Sequence, residues 1–350
     1  SSSAFNGNRA RTGSAIANFD RMSVTNATFT GNETFGNDDG GTVFLGSDSI
    51  TSFTGGSFSN NTTDTVGGAI ATRKITQGTN TNATLDITGT TFKGNSAATT
   101  GGAIDNNFYN SVEHAGSVYV SGVTFGGAGE NEGNSAVNGG AIYNHANGSQ
   151  TGSMYLTGTN FIGNTATING GAIYNEGVLT LAGTNTFIGN TANGVANDIH
   201  NLSELIIEGT TTIDGGITGD TGGLIIADGA ILNLGAASVT QKDIILDGGT
   251  IPATLDKNAT SALFNATTYA GTGTLELAMA ETGTYHVFGG DSFDIETDMP
   301  WTIGNAGSAV VFTNSKVYNL SWTKGDITAE KKSVEEIASG NDIAVESAAV

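Results

Sequence analysis

The chain has 350 residues, 33 acidic against 12 basic, a formal charge of −21 and no cysteine. Few and scattered basic residues on so acidic a chain leave no electrostatic footprint for nucleic acid or anionic membranes. The lack of Cys excludes disulfides, thiol nucleophiles and thiolate metal sites, and 37% hydrophobic residues exclude wholesale disorder.

Residues 1–5 (SSSAF) have neither a charged n-region nor an apolar h-region, so no signal peptide is expected. The longest apolar runs, such as 224–227 and 309–312, fall far short of a spanning helix. From residue 5 two tetrapeptides alternate. Phe-x-x-Asn occurs at Phe5/Asn8, Phe29/Asn32, Phe58/Asn61, Phe92/Asn95, Phe161/Asn164 and Phe187/Asn190. Gly-Gly-Ala-Ile occurs at 67–70, 101–104, 139–142 and 170–173, with degenerate copies at 13–16 and 40–43 and a worn one at 196–199. Phe125 opens an irregular unit whose Asn is either Asn131 or Asn134.

Insertions thus fall in one variable segment per unit, as they do in stacked solenoids. Runs such as 83–88 (ATLDIT), 117–121 (SVYVS), 153–157 (SMYLT) and 177–182 (GVLTLA) alternate apolar residues at period two, the pattern of half-buried strands. These features predict a right-handed single-stranded parallel β-helix, with three short strands per coil. Phe and Ile should face inward and stack on their equivalents about 4.8 Å away. The Gly pair should supply positive-φ or crowded backbone, and stacked Asn side chains should form a hydrogen-bonded ladder.

Beyond residue 200 the tetrapeptides stop, but candidate strands continue at 205–208, 224–227, 231–234, 244–246, 274–277, 285–288, 309–312 and 317–320. Residues 329–339 (AEKKSVEEIAS) read as the one helix, closed by Gly340. The expected organisation is a repeat β-helix over 1–200, irregular coils over 201–325, and a helix and tail over 326–350 that cap the solenoid or link it onward. The fold class is all-β, with a less regular β-rich C-terminal part.

The alternation of Gly-Gly-Ala-Ile with Phe-x-x-Asn over residues 5–199 resembles the repeats of the chlamydial polymorphic membrane proteins and of other autotransporter passengers. The resemblance implies a β-helical passenger displayed on the bacterial outer membrane or secreted, acting as an adhesin. The sequence departs from that family in lacking a signal peptide, a C-terminal barrel and cysteines. It therefore reads as a mature protein or an excised piece, with membrane attachment only through a part outside this chain.

β-Helices also carry polysaccharide lyases and glycoside hydrolases, which need carboxylates converging on one groove. Asp38-Asp39 is the best acidic pair within the repeats, and reads more simply as an exposed turn. Asp291, Asp294, Glu296 and Asp298, beside Trp301, have the spacing of a Ca²⁺ loop or of a sugar site with a stacking Trp; a solvated acidic loop is the plainer reading. His114 and His145 occupy comparable segments of successive units and read as surface histidines rather than a metal pair. No catalytic, metal or cofactor residue is assigned. The candidate binding residues are Phe108, Tyr109, His114, Tyr143 and His145, which are expected to be exposed in the polar outer segments 105–117 and 143–153. The expected partners are a host-surface protein or glycan, or a second copy of the chain. A carbohydrate-active enzyme and a surface-layer or filament component are the alternatives.

Overall fold

Each Phe-x-x-Asn builds a corner. In the third unit Ser57–Ser59 is a strand with Phe58 facing inward. Asn60 then turns the chain at φ 55°, and Thr62–Thr63 leaves in a new direction. The Gly-Gly-Ala-Ile unit follows and starts the strand Ile70–Thr72. The chain crosses to Thr84–Thr88 and returns to Thr91–Lys93, one coil along. There Phe92 pairs in register with Phe58, Ala97 with Thr63, and Ile104 with Ile70. The computed structural model describes residues 2–36, 40–46, 49–72, 83–107, 117–147, 150–279, 281–289, 301–303, 310–313 and 316–335.

Among these residues the coils stack into parallel sheets of 12, 10 and 10 strands and a fourth of eight, whose last strand alone is antiparallel. The protein is a parallel β-helix. A repeat coil has four strands rather than the three expected. The additional one is a strand of two to five residues after the Asn corner, such as Glu33–Thr34, Ser96–Ala97 or Thr165–Asn169. This short sheet ends when Thr191–Ala192 folds back on Val195–Ala196, and later coils have three strands.

The interior consists of columns of like residues. Phe5, Phe29, Phe58, Phe92, Phe125, Phe161 and Phe187 stack with centroids 4.3–5.0 Å apart. Ile213 continues that column past Phe187, a neighbouring inward row passes from Thr211 to the aliphatic Leu232, and Ile70, Ile104, Ile142, Ile173 and Ile199 form a further column. Burying one such side chain contributes about 1.5–3 kcal/mol. Because each layer touches only its neighbours, the sum accrues coil by coil.

The predicted ladder is present. Asn8, Asn32, Asn61, Asn95, Asn134, Asn164 and Asn190 are joined by Nδ2-to-Oδ1 bonds of 2.8–2.9 Å, so the irregular unit contributes Asn134 and not Asn131. From Asn32 onward each Nδ2 also donates to the carbonyl of the Phe one coil back, as Asn61 does to Phe29 at 3.0 Å.

The ladder ends on a carboxylate. Asn190 Nδ2 donates to Asp198 Oδ1 at 2.8 Å, and the N–H groups of Asp214 and Gly215 donate to Oδ2 at 3.1 and 2.7 Å. Burial outweighs these donors and raises the Asp198 pKa from 3.8 to about 6. A folded-state pKa above the unfolded value means that the fold holds the proton more tightly. This contribution to stability is therefore full below about pH 4 and lost as pH rises through about 6. Going from about pH 4 to about pH 7 is expected to cost about 2 kcal/mol through this group. Urea unfolding of wild type and Asp198→Asn across that range isolates it, because the variant should lack this part of the slope. Identical slopes would refute the assignment.

Toward the C-terminus parallel stacking continues to Thr302–Ile303. Gly283–His286, Asp326–Lys331, Lys316–Thr323 and Val310–Thr313 then form a four-stranded antiparallel sheet. Tyr285, Ile327 and Ala329 from it join the core. The helix predicted from residue 329 is corrected here, since 329–331 belong to a strand. Ile327 and Ala329 alternate inward, and cross-strand pairing overrides the local helical pattern. Residues 336–339 lie outside the described residues. Trp301 is 5% exposed, packs edge-on to Phe264, Tyr269 and Phe288, and donates Nε1–H to the Ala270 carbonyl, so it offers no face to a sugar. Among the described residues no helix is long and apolar enough to cross a membrane.

Candidate functional site

In each Gly-Gly-Ala-Ile unit the Ile faces inward, the next residue outward and the one after inward again. The inward pattern Ile-x-Asn builds a second ladder, missed in the sequence reading although it recurs in four successive units. Asn106, Asn144, Asn175 and Asn201 are linked by bonds of 2.7–2.8 Å, and Asn201 Nδ2 donates to Gln241 at 2.6 Å. The outward residues are Asp105, Tyr143, Tyr174 and His200, in register on successive coils.

These outward residues make a column of rings and charges. Tyr143 stacks on Tyr174 at 4.6 Å, Tyr174 on His200 at 5.0 Å, and His145 covers Tyr143 at 4.0 Å. Asp105 is fully buried. Its Oδ2 accepts from Thr100 Oγ1 and meets His145 Nε2 at 3.0 Å, while Oδ1 accepts from Asn107 Nδ2 at 2.7 Å. Burial pushes the His145 pKa down, but the charge and hydrogen bond of Asp105 outweigh it and leave the pKa raised. Burial, reinforced by Glu176, holds the Tyr143 and Tyr174 phenols above their usual range. Burial lowers His200, whose Nδ1 lies 2.9 Å from Thr218 Oγ1.

This geometry ties segments together. The Thr100 hydroxyl bonds the carboxylate rather than the imidazole, which is not the nucleophile–base–carboxylate order that activates a hydroxyl. The Asp105–His145 pair instead pins the roots of two outer segments. Asn107 N–H donates to Thr72 Oγ1 at 2.6 Å, His145 N–H to the Asn106 carbonyl at 3.0 Å, and Gly152 N–H to the His145 carbonyl at 3.1 Å. The expectation that Tyr143 is exposed in a loop is corrected, because it lies in the strand Ile142–Asn144 and is 8% exposed. The flanking Asn144 turns inward to the ladder, which keeps this stretch on the sheet. His145 follows the strand, with its side chain 20% exposed. Phe108, Tyr109 and His114 lie outside the described residues, as do Asp38, Asp39, Asp291, Asp294, Glu296 and Asp298. Among the described residues no three His, Asp or Glu are placed to hold a metal ion.

Comparison with known families matches residues 55–73, 89–107 and 158–176 to the Chlamydia polymorphic membrane protein repeat. Neither a curated protein nor a solved structure matches the chain significantly. Each matched repeat begins just before a Phe strand and ends just after the Gly-Gly-Ala-Ile strand, so it covers three sides of a coil.

The fourth side lies outside the matched repeats. It carries Tyr119 and Tyr155, 44% and 39% exposed and stacked at 5.2 Å, between Ser117, Ser121, Ser153 and Thr157. The alternation in SVYVS and SMYLT is the signal for this outward pair, since Val118, Val120, Met154 and Leu156 take the inside.

Proposed function

We propose that the chain is the passenger of an autotransporter-like protein, displayed on the bacterial surface or secreted, and that it acts as a non-enzymatic adhesin for host cells, matrix, glycans or its own copies. One observation carries this reading. Between the Gly-Gly-Ala-Ile strand and the next strand, the first, sixth and seventh coils need only residues 19–20, 176–177 and 202–203, whereas the third, fourth and fifth insert 73–83, 107–116 and 145–152 at that same corner. Variable segments gathered at one edge of a rigid scaffold are where recognition concentrates. The matched repeats, whose family name places them in membrane proteins of Chlamydia, support surface display.

The test replaces residues 107–116 with a two-residue Glu-Gly connection and measures binding to cultured epithelial cells, matrix proteins and a glycan panel. The variant should keep the wild-type β-sheet circular dichroism, at a lower melting temperature because the buried Asp105 loses the Asn107 amide, and lose about tenfold or more in binding to one of these. Equal binding by both proteins, or no binding by wild type to any of the panel, would overturn the reading.

A further inference from the structure

Among the described repeats, the corner after the Phe strand is closed by one positive-φ residue: Gly7, Gly31, Asn60, Gly94, Gly163 or Gly189. The Phe125 unit departs from this by inserting a bulge before Asn134. The bulge is pinned down. Glu132 accepts from Lys93 Nζ at 3.0 Å and from Gly129 N–H at 3.2 Å, and its carbonyl accepts Gly94 N–H at 2.9 Å. Gly127 N–H donates to the Ile162 carbonyl at 3.1 Å.

The bulge and the Gly163 and Gly189 corners line an open groove of about 600 Å³. That volume is within the range of small-ligand and short-peptide sites, roughly 300–1,000 Å³. Ile162 and Ile188 line the groove, in register on adjacent coils, and Ile188 is 49% exposed. In earlier coils the residue after the Phe is polar: Thr30, Ser59 or Lys93. The row becomes aliphatic beside the bulge, on an outer face where no core demands it. No carboxylate lines the groove itself, but two stand beside it: Glu130, exposed between the lining residues Gly129 and Asn131, and Asp214, whose carboxylate accepts the N–H of the lining Gly189 at 3.0 Å; Glu132 is neutralised by Lys93.

We propose that this groove binds a short extended segment of another protein in which an aliphatic side chain is flanked by Lys or Arg. The aliphatic group covers Ile162 and Ile188, and the cation meets Glu130 and Asp214. These two carboxylates select a cationic occupant over an acidic one. The site is separate from the corner that carries the inserted segments, so it does not depend on them.

The test uses the full chain and three fluorescent hexapeptides, alternating Lys-Ile, Lys-Ser and Glu-Ile, followed by anisotropy. The Lys-Ile peptide should bind saturably. It should weaken about tenfold with the Ile162→Thr/Ile188→Thr double variant and also with Glu130→Lys. The chain shortened at 107–116 should bind it like wild type, which separates failure here from failure of the adhesin reading. Both isoleucines lie on an outer face, so the melting temperature should hold; Glu130→Lys, on an exposed side chain, decides the matter if it does not. Equal binding of the Lys-Ser peptide would reduce the effect to bulk charge. Equal binding of the Glu-Ile peptide would reduce it to unspecific apolar contact. Either result, no binding at all, or indifference to Glu130→Lys would overturn the proposal.

Discussion

Replacing Gly102 by alanine is expected to destabilise the repeat region by about 3–5 kcal/mol, a large cost for one methyl group. The added Cβ would lie 2.1 Å from the Gly140 carbonyl oxygen and 2.5 Å from Ser135 N, both backbone atoms of the next coil. No flexible side chain is there to yield, so the two coils must separate, and separation lengthens the ladder bonds beside them. The same close approach recurs at Gly68, Gly140 and Gly171, where a Cβ would lie 2.2, 2.1 and 2.4 Å from a carbonyl oxygen one coil on. The two glycines of the motif therefore meet different constraints. The first, at Gly67, Gly101, Gly139 and Gly170, has φ of 61–65°, a left-handed conformation, and a Cβ there would also lie 2.1–2.3 Å from the carbonyl oxygen of its own unit's Ile; the second is needed for clearance from the next coil. Gly122→Ala is the control. Gly122 has φ +60° with nothing within 4 Å of a Cβ, so only the left-handed penalty of about 1–2 kcal/mol applies. Urea unfolding of the two variants should separate them clearly. Equal losses would mean that crowding between coils is not what Gly102 relieves.

What the sequence makes legible follows from the same one-dimensional packing. An inward column needs the same residue in every layer, so Phe, Asn and Ile recur at a readable spacing and declare both the solenoid and its ladder. The fourth strand is hidden because two residues such as Thr62-Thr63 are too short to show a period. Outward columns are hidden for another reason. Asp105, Tyr143, Tyr174 and His200 share a register but not a residue type, and only the invariant Ile-x-Asn around them shows that they stand side by side. Tyr143 reads as a loop residue because Tyr143-Asn144-His145 is polar in composition, whereas Asn144 is a buried rung. In the C-terminal part a helix-like pattern at 329–331 was overridden by the antiparallel partners Gly283 and Leu320, which are distant in sequence and carry no local signal.

Asn95→Ala is expected to cost about 3–5 kcal/mol, because the rung serves both of its neighbours. Its Oδ1 accepts from Asn61 N at 3.2 Å and from Asn61 Nδ2 at 2.8 Å; its Nδ2 donates to the Phe58 carbonyl at 3.1 Å and to Asn134 Oδ1 at 2.9 Å. Alanine leaves two buried donors of Asn61 without an acceptor, and each such orphan costs about 1–3 kcal/mol. Asn95→Asp should be no milder near neutral pH, because it sets a carboxylate against Asn134 Oδ1 in a fully buried site. The ladder also predicts a pattern that a set of independent hydrogen bonds does not. Once Asn95 is gone, Asn61 Nδ2 keeps only its bond to the Phe29 carbonyl, at 3.0 Å, so truncating Asn61 as well removes a group that was already half unsatisfied. The double variant Asn61→Ala/Asn95→Ala should therefore cost less than the sum of the singles, by about 1 kcal/mol or more. Asn8→Ala with Asn164→Ala, several coils apart, should add within about 0.5 kcal/mol. Chemical unfolding of the four single and two double variants decides between the cases. Additivity in both pairs would mean that the rungs stabilise the solenoid one by one rather than through their neighbours.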